Sequence, residues 1–295
     1  MIIKIRPYLR LIRPGHYMKN LFLFLPLFFS GRLLEWLPVR RTSAGFLAFC
    51  MISSAVYIFN DIADRENDRA HSLKRSRPVA SGAVSVRNAA ILACVLICIS
   101  ITFQMMAGRT NALSWAYLIL YALINIAYSL RLKRAPVVDV AVLAAGFLLR
   151  LAYGAVLTGI PVSGWLFLTV STMSFYLALG KRRGELGRQE GTRKVLEAYS
   201  RGFLEKSMNM CLTLTVAFYS LWAAEGGGLA AEGIKRTGGL LWTVPLVIVI
   251  CLKYSLDVEG DSDGDPVEVA LHDKILCGLV LLLAVLIFIL LYITP

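Results

Sequence analysis

The stretch Asn60-Asp61-Ile-Ala-Asp64-Arg-Glu-Asn-Asp68-Arg-Ala-His71-Ser-Leu-Lys74-Arg75-Ser-Arg77-Pro78 places acids, then bases, directly after an apolar run. Asp61, Asp64 and Asp68 are spaced i, i+3, i+7. At about 100° per residue, a helix brings these three carboxylates within an arc of roughly 60°, with His71 beside them. Crowded carboxylates repel one another, so something must compensate, and a divalent cation is the first candidate. Hard oxygen donors suit Mg2+, which commonly sits between a few carboxylates and substrate phosphates. Lys74, Arg75 and Arg77 follow and could hold the remaining phosphate charge. The bland alternative is a solvated charged loop, which accounts neither for the one-face register nor for Asn60.

Three further segments carry charge at the ends of apolar runs. The first reads Tyr128-Ser-Leu-Arg131-Leu-Lys133-Arg134-Ala-Pro136, followed by Asp139 and, eleven residues on, Arg150. Asp139 and Arg150 share a helix face but lie about 16 Å apart along it, too far for a direct ion pair. An intramembrane arginine needs a polar cavity or a partner. Arg150 therefore either holds an anion or a carboxylate in a cavity, or makes an interhelical salt bridge. The second segment holds Gly180, Lys181, Arg182, Arg183 and Glu185, then Arg188, Arg193 and Lys194. Lys181, Arg182 and Glu185, nearest the apolar run, are assigned to a site. The outer three suit either phosphate or anionic lipid headgroups. The third segment, Lys253 to Glu268, is rich in acids, but the EF-hand pattern fails. Asp257 at its inner end is the candidate to touch a substrate hydroxyl or a metal, while Asp261, Asp263 and Asp265 read as solvated loop. His16 and His272 read as membrane-edge polar residues.

The elements that must carry these residues are apolar spans. Hydrophobic residues make up 57% of the chain and the mean hydropathy is +0.66. Nine apolar runs lie near the length that a bilayer core demands: roughly Met18–Ser30, Ser43–Asn60, Asn88–Ala107, Asn111–Leu130, Pro136–Thr158, Val162–Gly180, Ser207–Ala224, Gly239–Leu256 and Leu271–Ile293. The expectation is an all-α polytopic helical bundle in one membrane domain over residues 1–295. The first run is short and contains Pro26, so a tilt or break is expected there. No cleavable signal pattern precedes it. With the N-terminus inside, 24 Lys and Arg fall on the inner side and six on the outer side, a strong positive-inside bias. The net charge of +12 then reflects topology, with the active site on the cytoplasmic side of a plasma (inner) membrane. Nucleic-acid binding is disfavoured because the bases sit in short loops between spans. The six cysteines lie in or beside apolar spans without metal-site spacing and read as packing residues. The Gly226–Gly233 stretch reads as a connector.

Asn60-Asp-x-x-Asp-x-x-x-Asp68, then Lys74-x-x-Arg77-Pro78, nine spans and the early Arg13-Pro14-Gly-His-Tyr-Met-Lys19-Asn20 resemble the UbiA superfamily of intramembrane prenyltransferases. Ordinary members carry a second Asp-rich motif after the sixth span. Here no aspartate occurs between Lys181 and Lys206. The chain is similar instead to the decaprenyl-phosphate phosphoribosyltransferase (5-phosphoribosyl-1-phosphate polyprenol synthase) subgroup. This likeness lies in Asp64–Pro78; in Pro136, Asp139, Phe147, Arg150 and Gly154; in Gly180-Lys181-Arg182 with Glu185; and in Tyr254-x-x-Asp257-Val-x-Gly260, Pro266 and Asp273. It runs from about Arg13 to Asp273. The resemblance implies phosphoribosyl pyrophosphate as donor, a polyprenyl phosphate as acceptor and Mg2+ on Asp61, Asp64 and Asp68. It further implies substrate contacts at Lys19, Asn20, Asn60, His71, Lys74, Arg77, Tyr128, Lys133, Asp139, Arg150, Lys181, Arg182, Glu185, Tyr254 and Asp257. Lys74 and Arg77 are candidates for the pyrophosphate. Lys133, Lys181 and Arg182 are candidates for the ribose 5-phosphate or lipid phosphate, and Tyr254 and Asp257 for ribose hydroxyls. A homo-oligomer is left open. The rival readings are a prenyltransferase acting on an aromatic acceptor, and a transporter or lipid-binding scaffold.

Overall fold

A computed structural model describes residues 5–70, 74–108, 112–187, 194–227, 239–259, 269 and 273–293. Among them the chain is wholly helical, without a strand. Pro14 and Pro26 shape its beginning. After α1 (Ile5–Ile12), Arg13 turns into the left-handed region at φ 56°, and Pro14 opens a 3-10 stretch, Pro14–Phe24, with Pro26 in the first turn of the short α2 (Leu25–Phe29). Proline fits a first helical turn because its missing N–H is not needed there. The first expected span is thus broken, a 3-10 stretch followed by a short α-helix.

The long helices follow: α3 (Trp36–Ala63), the short α4 (Arg65–Ala70), α5 (Val86–Met106), α6 (Ala112–Leu130), α7 (Val138–Thr158), α8 (Gly164–Gly187), α9 (Arg201–Ala224), α10 (Val244–Glu259) and α11 (Lys274–Phe288), which runs on in a π turn to Ile293. Side-chain caps start three of them. Ser85 accepts from Asn88 N in α5, Ser200 from Phe203 N in α9, and Asp273 from Ile275 N and Leu276 N in α11. Each satisfies an N–H that has no partner within the helix.

Six helical stretches among the described residues are long and apolar enough to cross a membrane, not the nine expected: 36–63, 86–106, 112–130, 138–158, 240–259 and 274–293. The remaining three candidates fall short for visible reasons. The first is broken by its prolines. Helix α8 carries Thr169, Ser171, Thr172 and Ser174 and ends in Lys181-Arg182-Arg183, and α9 begins with Arg201, Glu205 and Lys206.

Helix α7 lies at the centre, touching α2, α3, α6, α8 and the 3-10 stretch, whereas α5 lies against α3 and exposes much of its apolar surface. Small residues make the central packing close. A Cβ on Gly154 would fall 2.1 Å from the Leu23 carbonyl oxygen, and one on Gly45 would fall 2.1 Å from a methyl of Leu157. Leu23, Phe49, Tyr153 and Leu157 are fully buried around this contact. Gly154→Ala is expected to cost about 1–3 kcal/mol or more, because backbone cannot yield as a side chain can. A lowered thermal midpoint of the purified protein checks this, and an unchanged midpoint would refute the backbone contact.

Candidate active site

The C-terminal end of α3 delivers Asn60, Asp61 and Asp64, and α4 delivers Asn67 and Asp68. Helical hydrogen bonding carries through the break at Asp64, with Asp64 N donating to Asn60 O at 2.9 Å and Asp68 N to Asp64 O at 2.8 Å. The predicted register therefore survives for Asp61 and Asp68, and both meet Arg77. Arg77 Nη1 donates to Asp68 Oδ2 at 2.8 Å and reaches Asp61 Oδ1 at 3.4 Å. Arg13 Nη2 donates to the same Asp61 oxygen at 2.5 Å, with its guanidinium 5.3 Å from the Tyr57 ring centre. Lys133, from the 3-10 turn after α6, donates to both oxygens of Asp64 at 2.6 and 2.8 Å.

The carboxylates expected to hold a metal also have basic partners. In this structure Arg13, Arg77 and Lys133 offset the carboxylates, and among the described residues no three His, Cys, Asp or Glu side chains form a ready cage. The donor chemistry still fits a hard divalent ion. Three carboxylates and two asparagines edge one wall, and Asn60 Oδ1 is buried without a hydrogen-bond partner among the described residues. A buried acceptor left unmatched is costly, and a cation would satisfy it.

These groups line a cavity of about 690 Å3, within the usual range for a small-molecule site. Of the residues predicted from sequence it gathers Lys19, Asn60, Asp61, Asp64, Asp68, Lys74, Arg77, Tyr128, Lys133, Arg150 and Lys181. It also includes Arg13, His16, Tyr57, Asn67, Tyr121, Asn125, Ser129 and Arg134. His16 is therefore a cavity residue, packed 5.4 Å from the Tyr57 ring. Signals for some of these were present: Tyr57 lies one turn before Asp61, Asn125 lies three residues before Tyr128, and Arg134 adjoins Lys133.

Arg150 forms no ion pair among the described residues. It donates to Asn20 Oδ1 at 2.8 Å, to the Gly146 carbonyl at 2.6 Å and to the Tyr121 hydroxyl at 3.2 Å. Its guanidinium lies 4.9 Å from both the Phe49 and Tyr121 ring centres. Asn20 stands behind the wall, holding Arg150.

Asp139, Arg182 and Glu185 do not reach the cavity. Arg182 is 0% exposed and donates to Asp139 Oδ2 at 2.6 Å, Glu185 Oε2 at 2.5 Å and the Tyr128 hydroxyl at 2.8 Å. It has no surface to offer a phosphate, which corrects the expectation of direct contact. The Tyr199 hydroxyl donates to Asp139 Oδ1 at 2.5 Å and accepts from Val137 N at 2.6 Å. Burial, then the hydrogen bond to Asp139, pushes this hydroxyl up to about 12, so Tyr199 stays a donor at neutral pH. Val137 needs that anchor, since a β-branched residue at φ 66° is strained.

Tyr254 and Asp257 also lie outside the cavity wall. Tyr254 is buried against Tyr176, with its hydroxyl where a Cβ on Gly180 would fall 3.2 Å away. Asp257 pairs with Lys253, which also pairs with Asp273. Lys253, then the backbone N–H of Leu276, holds the Asp273 carboxyl below its ordinary value. His71, Arg188, Arg193, the Lys194 side chain, Asp261, Asp263, Asp265 and His272 lie outside the described residues, as does most of the Gly226–Gly233 stretch.

The sequence matches the UbiA prenyltransferase family over residues 22–272. It is 34% identical over 273 residues to the decaprenyl-phosphate phosphoribosyltransferase of Mycobacterium tuberculosis (strain CDC 1551 / Oshkosh), across 90% of this chain and 87% of that one. Against the protein of the same description from Corynebacterium glutamicum it is 33% identical over 296 residues, across 97% of this chain and 87% of that one. The solved structure of a UbiA homolog from Archaeoglobus fulgidus bound to DMAPP and Mg2+ shares the fold. Its TM-score is 0.69 at 21% identity, covering 97% of this chain and 99% of that one. The same homolog bound to GPP and Mg2+ gives a TM-score of 0.68 at 20% identity. The chain belongs to the UbiA prenyltransferase family.

Proposed function

We propose that this protein transfers the 5-phosphoribosyl group of phosphoribosyl pyrophosphate to a polyprenyl phosphate, releasing pyrophosphate. One observation carries the reading: a single acid wall, Asp61, Asp64 and Asp68, faces a cavity lined by Arg13, Lys19, Lys74, Arg77, Lys133 and Lys181. So many cations in one pocket suit a ligand with several phosphates. The likeness to decaprenyl-phosphate phosphoribosyltransferases, over 90–97% of this chain, supports the donor and acceptor. The absence of aspartate between Lys181 and Lys206 disfavours a second diphosphate-metal site.

Mg2+ held by Asp61, Asp64 and Asp68, with Asn60 beside them, would neutralise the pyrophosphate as its bond to ribose C1 opens. Arg77 and Lys74 hold the pyrophosphate against the α3–α4 wall. Lys133, on the α6–α7 turn, and Lys181, on α8, hold the second anion across the cavity. The acceptor phosphate is already an anionic nucleophile, so no side chain need remove a proton, and placing two anions side by side is the main catalytic task. Tyr128 bridges the wall and the Arg182 cluster, fixing the edge next to Lys133.

The proposed topology has nine membrane crossings, counting the broken first segment, α8 and α9, with the N-terminus and the cavity mouth on the cytoplasmic side. The lipid tail then stays in the bilayer while its phosphate meets a water-soluble donor. Purified protein given labelled phosphoribosyl pyrophosphate, polyprenyl phosphate and Mg2+ is expected to form a ribosylated lipid with one pyrophosphate per turnover. Product formed only from a prenyl diphosphate and an aromatic acceptor would overturn the reading.

A further inference from the structure

We propose that Arg150 closes the inner end of the cavity and so excludes isoprenoid chains from the donor site. The lining defines the closed end. The deepest cavity residue on α7 is Arg150, on α6 Tyr121, on α8 Leu177 and on α3 Tyr57. Arg150 lies twelve residues into α7, about 18 Å from its cytoplasmic end, in the middle of the membrane-spanning bundle.

The guanidinium is built into place as a floor. It folds back on its own helix to the Gly146 carbonyl, and a Cβ at Gly146 would stand only 3.3 Å from Nη1. Asn20 holds Nε from one side, and Asn20 is itself held by Cys50 Sγ at 3.2 Å and Ser53 Oγ at 3.4 Å. Phe49 and Tyr121 cover the guanidinium. One turn further on, Gly154 brings α7 against the Leu23 backbone, and Tyr153 with Gln104 and Ser114 fills the space beyond. Among the described residues these side chains take the space beyond Arg150, and on α7 the apolar lining residues Val142, Leu143 and Phe147 all precede it.

A prenyl diphosphate whose phosphates sit on Asp61, Asp64 and Asp68, with its hydrocarbon running inward along α7, would reach Arg150. Here it would meet a desolvated cation, and burying alkyl carbon against that charge gains nothing. A pentose phosphate is short enough to end above Arg150 and polar enough to accept its charge. The identity of that donor rests on the function proposed above; the closure itself rests on packing alone.

The test is ligand stabilisation of the purified full-length protein with Mg2+, using pyrophosphate, dimethylallyl diphosphate, geranyl diphosphate and phosphoribosyl pyrophosphate. For the unaltered chain, affinities for the first three are expected to agree within about twofold, because the tail is not buried. In Arg150→Ala, geranyl diphosphate is expected to bind at least about tenfold more tightly than dimethylallyl diphosphate, since the vacated floor takes an isoprene unit. Arg150 pairs with no carboxylate among the described residues, so its removal strands no buried anion. Affinity that climbs with tail length in the unaltered protein would overturn the closure. A flat series in both proteins would overturn Arg150 as the closing residue. If Arg150→Ala does not fold, the unaltered series alone decides. Failure of phosphoribosyl pyrophosphate to stabilise the unaltered protein would defeat the donor assignment and leave the tail series readable.

Discussion

Asp64→Ala is expected to lower phosphoribosyl transfer roughly 10^2- to 10^3-fold, the scale of losing one electrostatic group at a developing charge, with little change in thermal midpoint. This separation follows from where Asp64 lies. Its side chain is 27% exposed and its partner Lys133 is 22% exposed. A pair so open to solvent contributes about 0–1 kcal/mol. Asp61 is a poorer test because it is 2% exposed and answers both Arg13 and Arg77. Its removal would take the carboxylate from Arg13, leave Arg77 with Asp68 alone, and confuse folding with chemistry. The measurement is Mg2+-dependent pyrophosphate release beside a melting curve. Lys133→Ala serves as the companion, for it frees Asp64 without removing an oxygen donor. An Asp64→Ala protein within a few-fold of full activity would sink the acid-wall assignment.

The second large effect is on stability. Asp139→Ala is expected to cost about 3–5 kcal/mol, because it leaves the buried Arg182 short of a carboxylate. Both side chains are 0% exposed and meet at 2.6 Å. The Tyr199 hydroxyl loses its acceptor in the same step. Replacing the three charges together, Asp139→Leu with Arg182→Met and Glu185→Gln, is expected to recover much of the loss, since a buried ion cluster is often no stronger than well-packed neutral residues. Thermal unfolding of the three proteins checks this. If Asp139→Ala melts within about 1 kcal/mol of the unaltered chain, the cluster is not structural, and Arg182 returns as a phosphate ligand.

The acid wall was legible because its information is local. Asp61 and Asp68 stand seven residues apart, and helical periodicity alone puts them where one side chain, Arg77, touches both. The ends of α5, α6 and α7 were legible for a similar reason, since apolar runs there stop at polar or turn-forming residues. Helix α3 begins at Trp36, before the expected Ser43, because Pro38, Arg40 and Arg41 are tolerated in its first turns. The fate of Arg182 could not be read. A cation at the end of an apolar run looks the same whether it faces water or a carboxylate, and its partner Asp139 is 43 residues away. Arg150 posed the same difficulty. The two alternatives read from sequence were an anion and a salt bridge, whereas the structure supplies rings and an amide drawn from Phe49, Tyr121 and Asn20.

The bond between Val137 N and the Tyr199 hydroxyl spans 62 residues, and it bears on the order in which the site is built. The turn carrying Lys133 and Arg134 runs into a residue with an unfavourable backbone, and the group that holds it there belongs to the second half of the chain. During synthesis the acid wall, encoded by residue 68, exists well before this turn can settle. A growing chain therefore carries carboxylates whose later partner is not yet in position. The bond that anchors Val137 beside this turn can form only once Tyr199 has been made.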